Sequence, residues 1–402
     1  MKLLFFTSAR SDYGLLKPLI ALSKNFFDTY LLISGSHFLK NKGNTYTEII
    51  NDNILNNDKI LKISSFTEND NSKSLCEGIG NTLIKISNLF EKLKFDGIVI
   101  LGDRYELFTI TIPALMYKIP IFHISGGEIT EGVIDDLVRH STTKLSHIHL
   151  VSTYEYAKNI SLMGEEDWRI NVVGECELDN IYKGEIATKE EVYNEFGINL
   201  DENIILVTYH PSTLDNLHPF EQIDPILQAL KHFVGEFTII FTGSGHEEGA
   251  NVIENEIEEF VNKHKNTYFV KHFGSKYYLS VLKNSKVVVG NSSSGIVEAP
   301  SLNVPTVNIG NRQKNRLAAK SIINVGYDVN EIIYSIRKAI NLKVSHDKMV
   351  FLNPYDPYMD GKGSERIIKV IQNAFKLGKE KLLSKKFDNT LNKNEWNYLL
   401  NM

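Results

Sequence analysis

Three carboxylates fall within one short loop of this chain. In the stretch "HISGGEITEGVIDDLVRH", an apolar segment of strand length ends in Gly-Gly, and Glu128, Asp135 and Asp136 follow before a helix. Upstream, "VILGDRYELF" ends another apolar segment in Asp103 and Arg104. Carboxylates that share a poorly solvated site raise one another's pKa, which allows proton donors and acceptors near neutral pH. The pattern predicts proton transfer; for Asp103 and Arg104, a purely structural ion pair is the alternative.

Two further strand ends have the composition of anion sites. "VVVGNSSSGIVEAPSL" places small residues between a strand and a helix, where free N–H groups favour a phosphate or diphosphate; these are Gly290, Ser292, Ser293, Ser294 and Gly295. We expect Glu298, inside that helix, to accept hydrogen bonds from the vicinal hydroxyls of a ribose. The alternative is a serine cap of the helix.

The first strand end, "FFTSARSDYGLL", has a similar character. Ser8, Arg10 and Ser11 precede or open the first helix, and an arginine there can add a bidentate contact to an anion. The alternative is a helix cap formed by Ser11 or Asp12, with Arg10 on the surface.

Histidine and arginine residues follow strands in the second half of the chain. His210 ends "LVTYH", and Arg312 and Arg316 follow "PTVNIG", so phosphate contact or proton transfer is expected there. His147 and His149 lie two apart on one strand without a third metal ligand, and we interpret them as structural. The sequence contains neither a P-loop nor a strand-helix GxGxxG motif.

Apolar segments of strand length alternate with amphipathic helices along the whole chain, a pattern typical of parallel α/β sheets buried on both faces. The predicted strands are "LLFFTSA", "TYLLISG", "DGIVILGD", "IPIFHISG", "HIHLVS", "INVVG", "NIILVTYH", "FTIIFTG", "TYFVKHF", "KVVVGN" and "PTVNIG". A charged stretch from about Leu178 to Glu202 separates the two halves. This predicts one domain over 1–178 and another over 179–360, with ligands in the cleft between them. The tail from Gly361 is expected to be helical and then to end in an exposed "NEWNYLLNM".

Composition excludes several classes of protein. The 402 residues include 44 Lys and Arg against 49 Asp and Glu, which leaves no broad basic surface for nucleic acid or anionic lipid. Two cysteines are too few for a disulfide framework and fit a reducing cytoplasm. No apolar run approaches the ~18 residues of a membrane span. We therefore expect a soluble cytoplasmic protein that holds phosphate locally.

The segments "SARSDYGLLKPL", "LGDRYELF", "GGEITEGVIDDLVRHSTTKLSHIHLVST", "GNSSSGIVEAPSL" and "NIGNRQKNR" together resemble the hydrolysing UDP-N-acetylglucosamine 2-epimerase family. The resemblance covers most of the chain to about residue 340. It implies a GT-B fold of two Rossmann-like doubly wound domains, with the helix from about 361–402 packing back on the first. Relatives that do not hydrolyse typically carry Arg-Pro-Glu where this chain has "RSD", which favours the hydrolysing branch.

The resemblance also implies a reaction and residue roles. A base removes the C2 proton while UDP leaves C1, and water adds to the resulting 2-acetamidoglucal with inversion at C2, giving N-acetylmannosamine for sialic acid synthesis. No metal or other cofactor is implied. The catalytic candidates are Asp103, Glu128, Asp135 and His210. The candidates for contact with UDP or substrate are Ser8, Arg10, Arg104, Phe273, Ser292, Ser293, Ser294, Gly295, Glu298 and Arg312.

One position departs from the family. Several members carry a catalytic Glu where this chain has Ser125, and a serine is no general acid at ordinary pKa, so Glu128 or Asp135 takes that role or the subgroup differs. The departure also suggests a different substrate as an alternative, UDP-2,4-diacetamido-2,4,6-trideoxyhexose, which is used in legionaminic acid synthesis. A GT-B glycosyltransferase and a nucleotide-sugar sensor are further alternatives. By resemblance, a homodimer or homotetramer is expected.

Overall fold

The computed structural model describes residues 1–40, 43–69, 71–130, 134–183, 186–212, 215–244, 249–342, 351–390 and 396–402. Contacts within the chain divide it into two compact units. Unit 1 comprises residues 1–179 together with 362–402, and unit 2 comprises residues 180–361.

Strands and helices alternate in both units, as the sequence predicts. From the amino terminus the elements are β1 (Lys2–Thr7), α1 (Arg10–Ser23), β2 (Asp28–Ile33), α2 (Tyr46–Asn51), β3 (Ile60–Lys62), α3 (Ser72–Lys92), β4 (Gly97–Leu101), α4 (Phe108–Met116), β5 (Ile121–Ile124), α5 (Ile134–Leu145), β6 (Ile148–Val151), α6 (Tyr154–Leu162), β7 (Ile170–Val172) and α7 (Asp179–Lys183). They continue with α8 (Lys189–Phe196), β8 (Ile204–Thr208), α9 (Pro219–Leu230), β9 (Thr238–Thr242), α10 (Ala250–Lys263), β10 (Thr267–Val270), α11 (Ser275–Asn284), β11 (Ser285–Gly290), α12 (Ser294–Val297), β12 (Thr306–Ile309), β13 (Ile322–Val325), α13 (Val329–Asn341), α14 (Gly363–Lys376), α15 (Lys379–Leu383) and α16 (Tyr398–Asn401).

Each unit is built on one parallel sheet, which confirms the predicted α/β fold class. The seven strands of unit 1 have the order β3-β2-β1-β4-β5-β6-β7, and the six strands of unit 2 have the order β10-β9-β8-β11-β12-β13. In both sheets the chain first winds one way and then the other. The reversal falls between β1 and β4 in unit 1 and between β8 and β11 in unit 2. Open parallel sheets bind their ligands at such switch points, at the carboxyl ends of the strands.

Burial on both faces explains the continuous apolar runs of the strands. In β1, Leu3 and Phe5 belong to one buried cluster, whereas Leu4 and Phe6 belong to the cluster on the opposite face. Unit 2 likewise has two buried clusters, one with Ile205 and the other with Ile204. Because both faces are apolar, polar side chains of the central strands are concentrated at the strand ends.

The sequence misses two strands, β3 and β13. Both are short and lie at sheet edges, and the exposed fraction of their residues is mostly intermediate or high. A half-exposed edge strand has no continuous apolar run to reveal it. The charged boundary stretch contains α8, which begins with a capping box. There Thr188 Oγ1 accepts from Glu191 N (3.1 Å) and the Glu191 carboxylate accepts from Thr188 N (2.8 Å).

The expectation of an exposed carboxyl-terminal tail is wrong for its last helix. The side chain of Leu399 in α16 is fully buried in the core of unit 1. Asn397 lies along the edge strand β7, where its backbone N donates to Ile170 O (3.0 Å) and its side chain accepts from Val172 N (2.6 Å). The tail therefore covers a sheet edge, which explains its apolar residues.

Buried charges also attach the tail to the rest of unit 1. Glu165, fully buried, accepts from Lys144 Nζ (2.5 Å), from His149 Nε2 (2.8 Å) and, from the tail, from Lys385 Nζ (2.7 Å). Burial alone would raise the pKa of Glu165, but the hydrogen bond from His149 and the neighbouring charges lower it to about 2.

The two strand histidines have partners within the fold. His149 bonds to Glu165, and His147 Nδ1 accepts from Ile121 N (3.1 Å). Across the part of the chain that the structure describes, no three His, Cys, Asp or Glu residues are grouped as metal ligands. In the same described ranges, no helix is both long and apolar enough to cross a bilayer.

Replacing Leu399 by alanine tests the contribution of the tail. A buried leucine truncated to alanine loses transfer free energy and leaves a cavity, so we expect unit 1 to lose about 2–5 kcal/mol of stability. Urea unfolding followed by tryptophan fluorescence measures this, because both tryptophans, Trp168 and Trp396, belong to unit 1. Leu162→Ala is the matched control, since that leucine is 66% exposed. Equal unfolding midpoints for both variants would contradict the packing role of the tail.

Candidate functional site

The switch point of the first sheet is organised by Asp12. Its Oδ2 accepts three hydrogen bonds, from Ser8 N (3.1 Å), Ser8 Oγ (2.9 Å) and Ala9 N (3.1 Å). Of the predicted alternatives, Asp12 is therefore the residue that caps the turn between β1 and α1. Burial raises the pKa of Asp12, and the nearby charge of Arg104 opposes this rise.

Arg10 lies at the start of α1 with its side chain about half exposed. Its Nε is 3.1 Å from a carboxylate oxygen of Glu48 in α2. An exposed ion pair of this kind contributes little stability and can exchange partners at low cost. The predicted contact of Arg10 and Ser8 with an anion stays a prediction.

Asp103 pairs with Arg139, not with its sequence neighbour. The guanidinium of Arg139, on α5, donates to Asp103 Oδ2, while Arg104 donates to Glu106 Oε1 (2.8 Å). The alternative of an ion pair between Asp103 and Arg104 is therefore wrong, because each residue pairs with a different partner. Burial alone would lower the pKa of Arg104, but the charges of Glu106 and Asp12 raise it, so Arg104 remains a cation.

Arg139 also fixes the loop after β5. Its side chain is only 3% exposed, and its NH1 donates to Glu128 O (3.1 Å) and to Thr130 Oγ1 (2.6 Å). In the same loop, Thr130 N donates to Asp136 Oδ1 (2.7 Å). One buried cation therefore joins the end of β4 to the loop that follows β5.

The prediction that all three acids lie in that loop is wrong, because Asp135 and Asp136 belong to the first turn of α5, and the three have different environments. Asp136 binds the backbone of the loop, and Glu128 is largely buried at 6% exposure. Asp135, in the first turn of α5, remains accessible to solvent. Partial burial and, after it, the negative charge of Asp103 raise the pKa of Asp135. Asp103 and Asp135 are thus close enough to interact electrostatically.

Glu175 is a candidate that the sequence reasoning missed. It follows β7, at the same edge of the sheet as the other acids, and its carboxylate accepts from Ser125 Oγ (3.0 Å). The available signal was the segment "INVVGECELD", which also ends an apolar strand in acids.

The switch point of the second sheet is organised by Asn291. Its Oδ1 accepts from His210 N (2.7 Å) and its Nδ2 donates to His210 O (2.8 Å), so one side chain joins the ends of β8 and β11. Its backbone oxygen accepts from Arg312 NH1 (3.1 Å) and from Gln313 Nε2 (2.9 Å). His210 Nδ1 donates to Ser244 O (2.8 Å), which fixes the tautomer of the ring.

Gly290 is required by the close approach of these two strands. It has φ +134, and a Cβ on it would lie 2.0 Å from Thr208 O. No side chain fits there.

The serine cluster differs from its predicted form. α12 ends at Val297, so the prediction that Glu298 lies inside the helix was wrong; Glu298 sits at the junction with a following 3-10 turn. A hydrogen-bond chain reaches it, in which Tyr278 OH donates to Ser294 Oγ (2.8 Å) and Ser294 bonds the Glu298 carboxylate. Burial raises the pKa of Glu298, and the hydrogen bond with Ser294 opposes this rise.

The remaining candidates of unit 2 have individual surroundings. Ser292 Oγ accepts from Ser294 N (3.3 Å), Ser293 is exposed, and Gly295 is buried against Thr306. Phe273 is 6% exposed and packs edge-on against Phe196 with ring centroids 4.8 Å apart. The structure gives the Phe273 ring a packing role, and its contact with UDP stays a prediction.

Comparison with known proteins places the chain in a family. The family model described as UDP-N-acetylglucosamine 2-epimerase matches residues 21–372. The chain belongs to this family.

Individual relatives agree with this membership. The chain is 32% identical over 381 residues, 93% of its length, to polysialic acid biosynthesis protein P7 of Escherichia coli, 94% of which is covered. It is 34% identical to a GDP/UDP-N,N'-diacetylbacillosamine 2-epimerase (hydrolyzing) of Campylobacter jejuni, over 84% of this chain and 87% of the relative. In fold it resembles the UDP-GlcNAc 2-epimerase of Neisseria meningitidis, crystallised with UDP-GlcNAc, with a TM-score of 0.76, 21% identity and coverage of 92% and 100%.

Removing the charge of Asp103 should lower the pKa of Asp135. In Asp103→Asn the negative charge that raises the pKa of Asp135 is lost, so the ionised form of Asp135 is favoured. The measurement is a pH titration of the aspartate side-chain carboxyl carbons by NMR, with Asp135→Asn used to assign the signal.

Asp96→Asn is the matched control for this titration. Asp96 precedes the same strand, β4, and accepts from Lys2 N (2.7 Å) at the opposite end of the sheet. The Asp96→Asn substitution should leave the titration of Asp135 unchanged. A pKa of Asp135 that is unmoved or raised in Asp103→Asn would contradict the electrostatic coupling of the two acids.

Proposed function

We propose that this member of the UDP-N-acetylglucosamine 2-epimerase family is a hydrolysing enzyme that converts UDP-N-acetylglucosamine and water into N-acetylmannosamine and UDP. The observation that carries the proposal is the electrostatic coupling of Asp103 and Asp135 beside a switch point of the first sheet. Relatives named as hydrolysing 2-epimerases, at 31% and 34% identity, support the hydrolytic outcome. The segment "RSD" at the first strand end also supports it.

The bond changes at the sugar need one base and one acid. One carboxylate takes the proton from C2; the C–H electron pair becomes the C1–C2 double bond, and the C1–O pair leaves with UDP. Hydration then adds a proton to C2 and the oxygen of water to C1. We assign the removal of the C2 proton to Asp103. Asp135, whose pKa is raised by the charge of Asp103, and Glu128 are the further acid and base candidates.

Stabilising the departing UDP is expected to supply much of the rate, because C2–H is a weak acid. We assign the nucleotide to His210, Arg312, the serine cluster and Glu298, with Phe273 beside the base, and the sugar to Ser8, Arg10 and Arg104. His210 is also a candidate proton donor to the leaving diphosphate. Neither a metal nor another cofactor is required by these steps.

Two relatives are named for a diacetamido sugar, which gives a second candidate substrate. Both are called UDP-N,N'-diacetylbacillosamine 2-epimerases, with or without GDP, at 34% and 31% identity. The same chemistry on UDP-2,4-diacetamido-2,4,6-trideoxyhexose, for legionaminic acid synthesis, is therefore the second candidate. The family match gives no support to the glycosyltransferase or sensor alternatives. A cytoplasmic homodimer or homotetramer remains our expectation.

Phosphorus and proton NMR of the purified protein with each UDP-sugar, without acceptor, test the reaction. We expect free UDP and a free 2-epimeric sugar. Asp103→Asn should lower kcat on the order of 10²- to 10⁴-fold, the usual contribution of an acid or base, while calorimetry shows UDP still bound. Asp96→Asn serves again as the control with near wild-type turnover. A UDP-linked epimer as the product would instead indicate a non-hydrolysing enzyme, and UDP release only with an added acceptor would indicate a transferase.

A further inference from the structure

Ser125 occupies an unusual position at the end of β5. Its backbone has φ +57, a left-handed conformation that is unfavourable for residues other than glycine. Its N donates to Leu150 O of β6 (3.0 Å), and its side chain is largely buried. Strained backbone of this kind is concentrated at functional sites, because it directs a side chain that relaxed geometry would not.

The strained residue directs its hydroxyl at a carboxylate. Ser125 Oγ is 3.0 Å from Glu175 Oε1 and 3.3 Å from Glu175 Oε2. Glu175 follows β7, two strands away from β5, so its side chain reaches across the end of β6. A carboxylate is thereby placed at the end of β5, where the sequence itself supplies only a serine.

The backbone that carries Glu175 is held firmly. Glu175 caps a 3-10 turn, Cys176–Leu178, that packs against α1, and the buried Cys176 Sγ donates to Leu15 O (3.7 Å). On its other side, a Cβ on Gly363 of α14 would lie 3.1 Å from Cys176 Cα. Groups fixed by packing in this way suit catalysis, which requires geometry held to fractions of an ångström.

The acids are distributed on both sides of the end of β5. Asp103 follows β4, its neighbour on one side, and Asp135 is coupled to Asp103. Glu175 arrives from β7, on the other side. Inversion at C2 requires a base on one face of the sugar and an acid on the other, so a sugar held at the end of β5 would have both.

We propose that Glu175 is a catalytic acid of this enzyme and protonates C2 of the 2-acetamidoglucal during hydration. This inference rests on the proposed function. The protonated Glu175 gives its proton to C2, water bonds to C1, and the proton released by that water returns to Glu175. The proton that Asp103 removed earlier passes to solvent with the departure of UDP, so the atoms balance. Ser125 orients the Glu175 carboxyl through its hydroxyl.

Glu175→Gln separates the two halves of the reaction. Elimination should continue, so UDP is still released, but with 2-acetamidoglucal in place of N-acetylmannosamine. Formation of N-acetylmannosamine should fall on the order of 10²- to 10⁴-fold. Proton NMR of the sugar products measures the ratio directly, and a merely structural residue would not change that ratio. Glu177→Gln, two residues along the same turn, is the matched control and should give the wild-type product.

Moving the carboxylate provides the rescue. In Ser125→Glu/Glu175→Gln the acid is attached at the position that Glu175 now reaches, and hydration should recover at least tenfold over Glu175→Gln. If Glu175→Gln fails to fold, judged by circular dichroism, Glu175→Asp replaces it; the shortened acid should give a mixture of glucal and N-acetylmannosamine.

The outcomes distinguish this inference from the proposed function. Wild-type turnover together with unchanged products in folded Glu175 variants would overturn the role of Glu175 and leave the proposed function standing. Equal loss of UDP release and of hydration in Glu175→Gln would also overturn it, since hydration alone is assigned to this acid. A wild-type protein that releases no UDP from either sugar would overturn both.

Discussion

The buried guanidinium of Arg139 is the contact on which the arrangement of unit 1 depends. It binds the Asp103 carboxylate at the end of β4 and the carbonyl of Glu128 after β5, so one side chain sets the position of two strand ends. A buried ion pair contributes little net stability, since desolvation offsets its attraction. Its value here is geometric: it fixes the position from which Asp103 raises the pKa of Asp135. Loss of Arg139 would remove its contacts with Asp103 and with the loop after β5 together.

Unit 2 solves the same problem with a neutral side chain at its centre. There the side-chain amide of Asn291 binds both backbone groups of His210, and the backbone carbonyl of Asn291 accepts from Arg312 and Gln313. Each unit thus uses one polar residue to join two neighbouring strand ends, β4 and β5 in unit 1 and β8 and β11 in unit 2. In a parallel sheet with two apolar faces, the strand ends are where polar groups can be solvated, and the switch point is where two loops separate and leave space. The chemistry follows from that constraint.

The sequence predicts the fold well because burial on both faces leaves a strong pattern. All eleven predicted strands are present, whereas β3 and β13, which are short edge strands, have no such pattern. Partners are harder to predict. Asp103 pairs with Arg139, 36 residues away, and not with the adjacent Arg104. Ser125 and Glu175 are brought together only by the strand order. The burial of Leu399 could not be predicted either, because a short apolar segment among Lys and Asn gives no indication of the edge it covers.

In the proposed reaction, carboxylates at these strand ends exchange the C2 proton of a UDP-sugar with solvent while UDP is lost. Proton NMR of the reaction in deuterated water measures this exchange. We predict N-acetylmannosamine, or the corresponding diacetamido sugar, with one deuterium at C2 and free UDP beside it. A product that retains protium at C2 would contradict proton abstraction, and with it the role assigned to Asp103.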